Sequence, residues 1–380
     1  MVFALYIWEL NDWPAFCYQQ DQIVSLLEEI DLLHTKLKEE ILSTPDGLDS
    51  EAQLNALIQN AIKTSEIEGE QLNVGSVRSS VAKHLGLNQA GLVSGTKQTD
   101  NLVGMLLQAT SNLSEPLSLN TLLTWQSMLF TDEAALKPVI TGELRGEAPM
   151  QVVSQRGRFT NVHFEAPPKH ILEDEINEFI YWFNDNNQEH FVVKAAIAHL
   201  WFLTLHPFDD GNGRIARALT DRVLAVDEQS SVRFYSLSAA IEQNKHSYYD
   251  TLEATQNLKS VPQQQNQLDI TDWLKWFCDV LKQALLQGRY RIKRVLAKSQ
   301  FWFTHAQTVL SERQIKVLNR LLDNLGDEFE EGINASKYKG IAGVSKATAT
   351  RDLTELLNKS CIIQLAGGGR STRYQVNIKL

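Results

Sequence analysis

Apolar residues recurring every three to four positions restrict this chain more than any other feature. "DQIVSLLEEIDLLHTKLKEEIL" places Ile23, Leu26, Leu27, Ile30, Leu33, Leu37 and Ile41 on one stripe, with acids and lysines opposite. That is the period of an amphipathic helix. "SEAQLNALIQNAIKTSEIEGE" repeats it through Leu54, Leu57, Ile58, Ala61 and Ile62, then stops at Gly69, a residue suited to ending a helix. The same pattern predicts helices over 100–113, 119–130, 171–184, 189–205, 213–226, 247–254 and 270–293. The expected fold class is therefore mainly α.

Two stretches depart from it. "APMQVVSQRGRFTNVHFEAPP" alternates through Val152, Phe159, Val162 and Phe164 around an Arg156-Gly157 turn, which predicts a β-hairpin over 150–164 inserted in a helical body. Residues 258–268 read as a polar, proline-bearing loop. From 305 on, "SERQIKVLNRLLDNL", "NASKYKGIAG" and "SKATATRDLTELLNKS" give three helices, and "CIIQLAGGGRSTRYQVNI" gives two strands about a glycine turn. Three helices and a hairpin are the order of a winged helix-turn-helix, with Ser345 as the N-cap of its third helix. Over 335–380, eight Lys/Arg stand against two Asp/Glu, although the whole chain carries −10. A basic tail on an acidic body points to a small nucleic-acid-binding module. Such folds also serve as dimerisation surfaces, so DNA and a second copy of the chain both stay open as partners.

Other classes recede. Cys17, Cys278 and Cys361 are an odd number without CxxC spacing, which suits free thiols in a reducing compartment. The longest apolar run, near 195–205, is interrupted by His199 and falls short of the ~20 residues that span a bilayer. The N-terminus has no basic region followed by a cleavage site, so a cytoplasmic protein with no membrane partner is expected. Trp8 and Trp13 read as core anchors.

The chemistry concentrates in "LHPFDDGNGRIAR", residues 205–217. Pro207 ends the preceding helix near His206, and a new helix begins at about Asn212. The loop therefore feeds a helix N-terminus, whose free N–H groups and positive dipole end favour phosphate. Gly211 and Gly213 let backbone approach an anion. Arg214 and Arg217 share one face and can fork onto phosphate oxygens. Asp210 is a hard oxygen ligand for Mg²⁺ (or Mn²⁺) beside a polyphosphate, and His206 suits a general base. Together they describe phosphoryl or nucleotidyl transfer. Gly211-Asn-Gly213-Arg-Ile-Ala216 imitates a dinucleotide fingerprint, but a helix precedes it where a strand is required. His199, two turns before His206, reads as a core or surface histidine.

"HPFDDGNGRIAR" resembles, without a gap, the HPFx[D/E]GNGRxxR signature of the Fic (filamentation induced by cAMP) family of AMP transferases. The resemblance implies an N-terminal helical region over 1–98, a Fic-type helical core over 99–295 with the hairpin as a flap, and the winged helix over 305–380. It implies that His206 takes a proton from a Tyr, Thr or Ser hydroxyl of a protein docked on the flap, which attacks the α-phosphate of ATP. Nucleotide binding is implied along Gly211, Asn212, Gly213, Arg214, Ile215, Ala216 and Arg217. In "SYYDTLEATQ", Tyr248, Tyr249 and Gln256 are implied near the adenine. Transfer of another group such as UMP, removal of AMP, and a nucleotide-sensing DNA regulator are the alternatives.

Thr64 and Glu68, four apart, face one way at the end of the helix over about 52–69. They fit [S/T]xxxE[G/N], which in similar proteins supplies an inhibitory glutamate. The resemblance implies that Glu68 pairs with Arg217 and blocks productive ATP binding. Glu66, Glu68 and Glu70 otherwise read as a solvated helix end whose three acids oppose the macrodipole and need compensation.

Overall fold

The computed structural model describes residues 6–42, 48–87, 93–130, 139–156, 159–185, 189–228, 234–258, 268–323, 331–366 and 372–378. After a 3-10 turn at Ile7–Glu9 come α1 (Gln20–Leu42), α2 (Leu48–Ile67), α3 (Val74–His84), α4 (Lys97–Thr110) and α5 (Leu119–Leu129). An antiparallel pair, β1 (Gln151–Arg156) and β2 (Phe159–Glu165), follows. Then come α6 (Lys169–Asn184), α7 (Phe191–Leu205), α8 (Asn212–Glu228), α9 (Leu237–Gln243), α10 (Lys245–Gln256) and α11 (Thr271–Thr304). The chain closes with α12 (Glu312–Asp323), α13 (Ala335–Ala342), α14 (Lys346–Asn358), β3 (Ile362–Gln364) and β4 (Tyr374–Val376). Two compact units result, residues 1–37 with 53–288 and residues 38–52 with 289–380.

The first unit is built around α7, whose residues from Val192 to Leu205 are all buried except Lys194. A helix apolar on every side belongs in the middle of a core. Phe202 is fully buried, with ring centroids of Phe179 at 5.8 Å and Phe208 at 6.3 Å. Trp201 meets Trp13 edge-on at 6.1 Å, so Trp13 anchors the N-terminal segment as expected, and its Nε1 donates to Glu175 at 2.9 Å. Trp8 donates to the Glu165 carbonyl at 2.7 Å and ties the same segment to β2. His199 is a core histidine: its ring nitrogens contact Thr220 Oγ1 and Tyr248 Oη, each at 2.9 Å. Burial pushes its pKa down to about 3.

Two helices were not foreseen. α3 carries "VGSVRSSVAKH", whose buried face includes Ser76, Ser79 and Ser80. Ser76 and Ser80 bond to Thr99 of α4 at 2.8 and 3.0 Å, so hydroxyl pairing adds to the packing of the buried Val77 and Val81. α9 is too short to show a period. α11 runs on to Thr304, past the expected end at 293. The hairpin forms, with an irregular register between Val152 and Val153. Its expected turn at Gly157 and most of the 258–268 loop lie outside the described residues.

In the second unit, Val317, Leu321, Tyr338, Leu353, Ile362 and Val376 form one core. Buried Asp352 accepts from Arg313 at 2.6 and 3.1 Å and from Tyr338 Oη at 3.1 Å. Ser345 caps α14 by accepting from Thr348 N at 3.1 Å. The order is helix, helix, helix, strand, strand, with β3 antiparallel to β4. Among the described residues, no helix is long and apolar enough to cross a membrane.

Emptying the centre of the first unit should be costly. Phe202→Ala is expected to lower stability by about 3–5 kcal/mol in urea titrations. Tyr181→Ala, at a position 80% exposed, should stay within about 0.5 kcal/mol.

Candidate functional site

The site begins where α7 stops. His206 sits in the left-handed region (φ 47°, ψ 57°), outside the helical conformation that Pro207 excludes from its predecessor. Its Nδ1 lies 3.1 Å from the Leu203 carbonyl. That partner can only accept, so Nδ1 carries the proton and Nε2 is left as the basic nitrogen. Burial pushes its pKa below the usual histidine value, with the Leu203 carbonyl opposing in part.

Arg145 holds this turn from outside it. Fully buried, it donates from Nε to the His206 carbonyl at 2.8 Å and from Nη2 to the Pro167 carbonyl, while its backbone N–H reaches Pro207 O at 2.9 Å. No spacing or periodicity in the sequence marks it. Asn212 also has a different task from the one expected. Its side-chain amide accepts from Phe208 N at 3.0 Å and donates to Phe208 O at 2.7 Å. It closes the loop on itself, while Asp210 Oδ1 accepts from the Gly211 N–H at 2.5 Å.

At the start of α8 the two arginines are buried, Arg214 at 2% exposure and Arg217 at 1%. Arg217 donates from Nη2 to Glu68 Oε1 at 2.6 Å and to the Thr64 carbonyl at 2.9 Å, and from Nε to Thr64 Oγ1 at 2.7 Å. Glu68 and Thr64 thus stand where the sequence spacing puts them. Further along, Asn60 donates to Asp221 at 2.9 Å. Residues 60, 64 and 68 form one face of α2 and its end, running against 221 and 217 of α8 in the opposite direction. Burial pushes the Glu68 carboxyl up, but the charge and hydrogen bond of Arg217, with Arg214, outweigh it and hold the pKa below the ordinary value. Gly213 is required by this contact, since a Cβ there would lie 2.1 Å from Glu68 Oε1.

Glu70, read with the solvated acids, accepts from Arg214 Nη1 at 2.9 Å. Asp210 lies 3.6 Å from Arg214 Nη2. The dipole opposition is answered by Lys245, whose Nζ donates to the carbonyls of Ile67 at 2.5 Å and Glu66 at 3.3 Å. Two donors remain: Arg214 Nε and Arg217 Nη1 are buried without a hydrogen-bond partner. Unspent buried cationic donors at a helix N-terminus are fitted to an anion with more oxygens than the carboxylates supply.

A cavity of about 690 Å³ opens onto this end of α8, between the hairpin and α10. His206, Asp210, Gly211, Gly213 and Glu68 line one end, and Tyr248, Tyr249 and Gln256 line the other. Gln256 donates to Thr204 Oγ1 at 2.9 Å, and burial raises the Tyr248 hydroxyl pKa. Across the cavity, His163 of β2 contacts Glu253 at 2.8 Å and Ser154 at 2.7 Å, a bridge from hairpin to α10 that the sequence did not signal. Arg214 and Arg217 are not among the residues that line the cavity, and Ile215 and Ala216, expected at the nucleotide, are fully buried and do not line it either. Ile215 and Ala216 lie on the core side of α8, where the apolar face of an amphipathic helix must go. Among the described residues, no group of three His, Cys, Asp or Glu could hold a metal. Asp210, 54% exposed at its side chain, fits a Mg²⁺ that draws its other ligands from phosphate and water.

Comparison with known proteins places this geometry. Residues 116–224 match the Fic/DOC family model, and residues 6–87 match a domain of unknown function, DUF4172. A probable protein adenylyltransferase of Aquifex aeolicus is 32% identical over 71 residues, 19% of this chain and 22% of its own length. Protein adenylyltransferase fic-1 of Caenorhabditis elegans is 37% identical over 70 residues, 18% of this chain and 13% of its own. The chain thus spans about a fifth or less of these curated relatives. A crystal structure of a Fic family protein from Desulfovibrio desulfuricans G20 superposes with a TM-score of 0.52 at 18% identity, covering 95% of this chain and 97% of that one. The residues that match the Fic/DOC family model, 116–224, include both the hairpin and the His206 loop, and the fold is that of a Fic family protein.

Proposed function

We propose that this chain is an autoinhibited protein adenylyltransferase. The observation that carries the reading is one cavity lined by His206, whose Nε2 is the basic nitrogen, and by Gly211 and Gly213 at the start of a helix whose next residues include two buried arginines with unspent donors. ATP enters with its phosphates toward α8 and its base toward Tyr248, Tyr249 and Gln256. A Tyr, Thr or Ser hydroxyl of a target, presented along the hairpin as an added strand, gives its proton to His206 Nε2. The oxygen forms a bond to the α-phosphorus as the bond to the β-phosphate oxygen breaks, and pyrophosphate leaves. Arg214, Arg217 and the amides of Gly211 and Gly213 stabilise the charge that develops. Mg²⁺ held by Asp210 would neutralise the phosphates. Arg217 cannot serve while Glu68 holds it, which is the brake. Intact arginines at both positions favour a triphosphate over other transferable groups.

The exposed side of α14 supports a second role for the basic unit. Lys346, Thr350 and Arg351 are all exposed there, around small Ala347. Such a face suits duplex DNA, with cations on phosphates and small side chains against base edges. Lys346→Glu with Arg351→Glu should abolish retention of labelled duplex DNA by the full chain, and wild-type binding should weaken steeply with salt.

With α-labelled ATP and Mg²⁺, wild type should label itself weakly and Glu68→Gly at least about tenfold more strongly. His206→Ala in the Glu68→Gly background should lose about 10²-fold or more. Label from γ-labelled ATP would refute AMP transfer. The pH dependence has a definite sign. Burial holds the His206 pKa below the ordinary histidine value, so kcat/KM of Glu68→Gly should stay level through neutral pH and fall only on the acid side, as the base is protonated. A fall beginning above pH 7 would exclude His206 in this state.

A further inference from the structure

We propose that Glu70 is a second inhibitory carboxylate, which withholds Arg214 from nucleotide as Glu68 withholds Arg217. The proposal rests on reading the α8 N-terminus as the phosphate site. It assigns a regulatory role to a residue outside the [S/T]xxxE[G/N] pattern and to a contact with the other arginine.

Helix geometry alone would not bring the two acids together. Residues two apart on a continued helix point about 200° around the axis from one another, so Glu70 would face away from the site that Glu68 enters. The chain turns instead. Gly69 adopts φ +83°, its N–H donates to Glu66 O at 3.0 Å, and Glu70 N donates to Ser65 O at 2.9 Å. This paired closure is the left-handed C-terminal turn that favours glycine. It swings Glu70 back over α8. Lys245 pins the turn through the Glu66 and Ile67 carbonyls, and Tyr249 Oη adds a 3.4 Å bond to Ile67 O.

The environment of Arg214 makes the contact consequential. Its side chain is 3% exposed, so water does little to balance its charge. Its hydrogen-bonded carboxylate is Glu70 at 2.9 Å. Asp210 stands farther off at 3.6 Å, and the Phe130 ring covers the guanidinium at 5.3 Å. A buried cation holds an anion strongly because losing it strands the charge. With Glu68 alone removed, a phosphate arriving at α8 still meets an occupied Arg214. Glu70 is also the more open of the two, 37% exposed at its side chain against 29% for Glu68. It forms the outer of two latches.

The test is nucleotide binding by calorimetry with the full chain, in the His206→Ala background so that no turnover intervenes. Glu68→Gly, Glu70→Gln and the double variant are compared with ATP and with AMP, which lacks the β- and γ-phosphates. Glu70→Gln added to Glu68→Gly should tighten ATP about tenfold further and leave AMP unchanged. If Glu68→Gly binds ATP well and adding Glu70→Gln changes nothing, Glu70 is no latch. Equal tightening of ATP and AMP would mean a loosened pocket, and would also overturn it. If no variant binds ATP while all remain folded by circular dichroism, the transferase reading fails and the latch falls with it. With His206 restored, the double variant should also exceed Glu68→Gly in self-labelling from α-labelled ATP at subsaturating concentration.

Discussion

Two guanidinium groups buried at the positive end of a helix set the terms for everything around them. Arg214 and Arg217 are almost wholly removed from water at the first turns of α8, where the dipole already favours negative charge. Such an arrangement is stable only with anions in place. The folded chain supplies them from the end of α2, in Glu68 and Glu70. Substrate phosphates would satisfy the same requirement. On the proposed reading, binding and restraint are alternative answers to one electrostatic demand, which the docking of α2 on α8 through Asn60, Thr64 and Glu68 meets.

Scaffold and chemistry are divided cleanly. α7 spends its entire surface on packing and gives the loop after it a rigid base. The loop is then shaped by polar contacts: Asn212 closes it, and Arg145 grips the carbonyl of His206. Arg145 also holds Pro167, the residue that follows the hairpin by two. The basic nitrogen and the strand that faces the cavity consequently share one anchor.

Legibility from sequence tracked how local each signal is. α1, α2, α6 and α8 announce themselves through a sustained 3.6-residue period, and α7 through a long apolar run. α3 does not, because in its eleven residues the buried Val77 and Val81 are interleaved with serines, two of which pair with Thr99. The site shows the same contrast. His206, Asp210, Gly211, Gly213, Arg214 and Arg217 lie within twelve residues, so spacing exposes them, whereas Thr64 and Glu68, within one helical turn, need the resemblance to be told from a solvated helix end. Ile215 and Ala216 were swept in by contiguity, although the helix turns them into the core. Arg145, His163 and Lys245 act across many residues of chain, and only the folded geometry reveals their partners. Glu70 was near at hand yet misread, since its direction depends on the left-handed turn at Gly69.

The tether between α2 and α8 carries a further consequence. Glu68 and Glu70 belong to the same polypeptide as the arginines they occupy, so they compete at a fixed effective concentration set by the chain. Dilution cannot relieve such a competitor, and neither can a change in the amount of protein. The ligand that contends with it is the one in free solution. On the proposed reading, a carboxylate held this way would make the poise of the domain follow nucleotide level and whatever pulls on the end of α2, independent of how much of the protein is made.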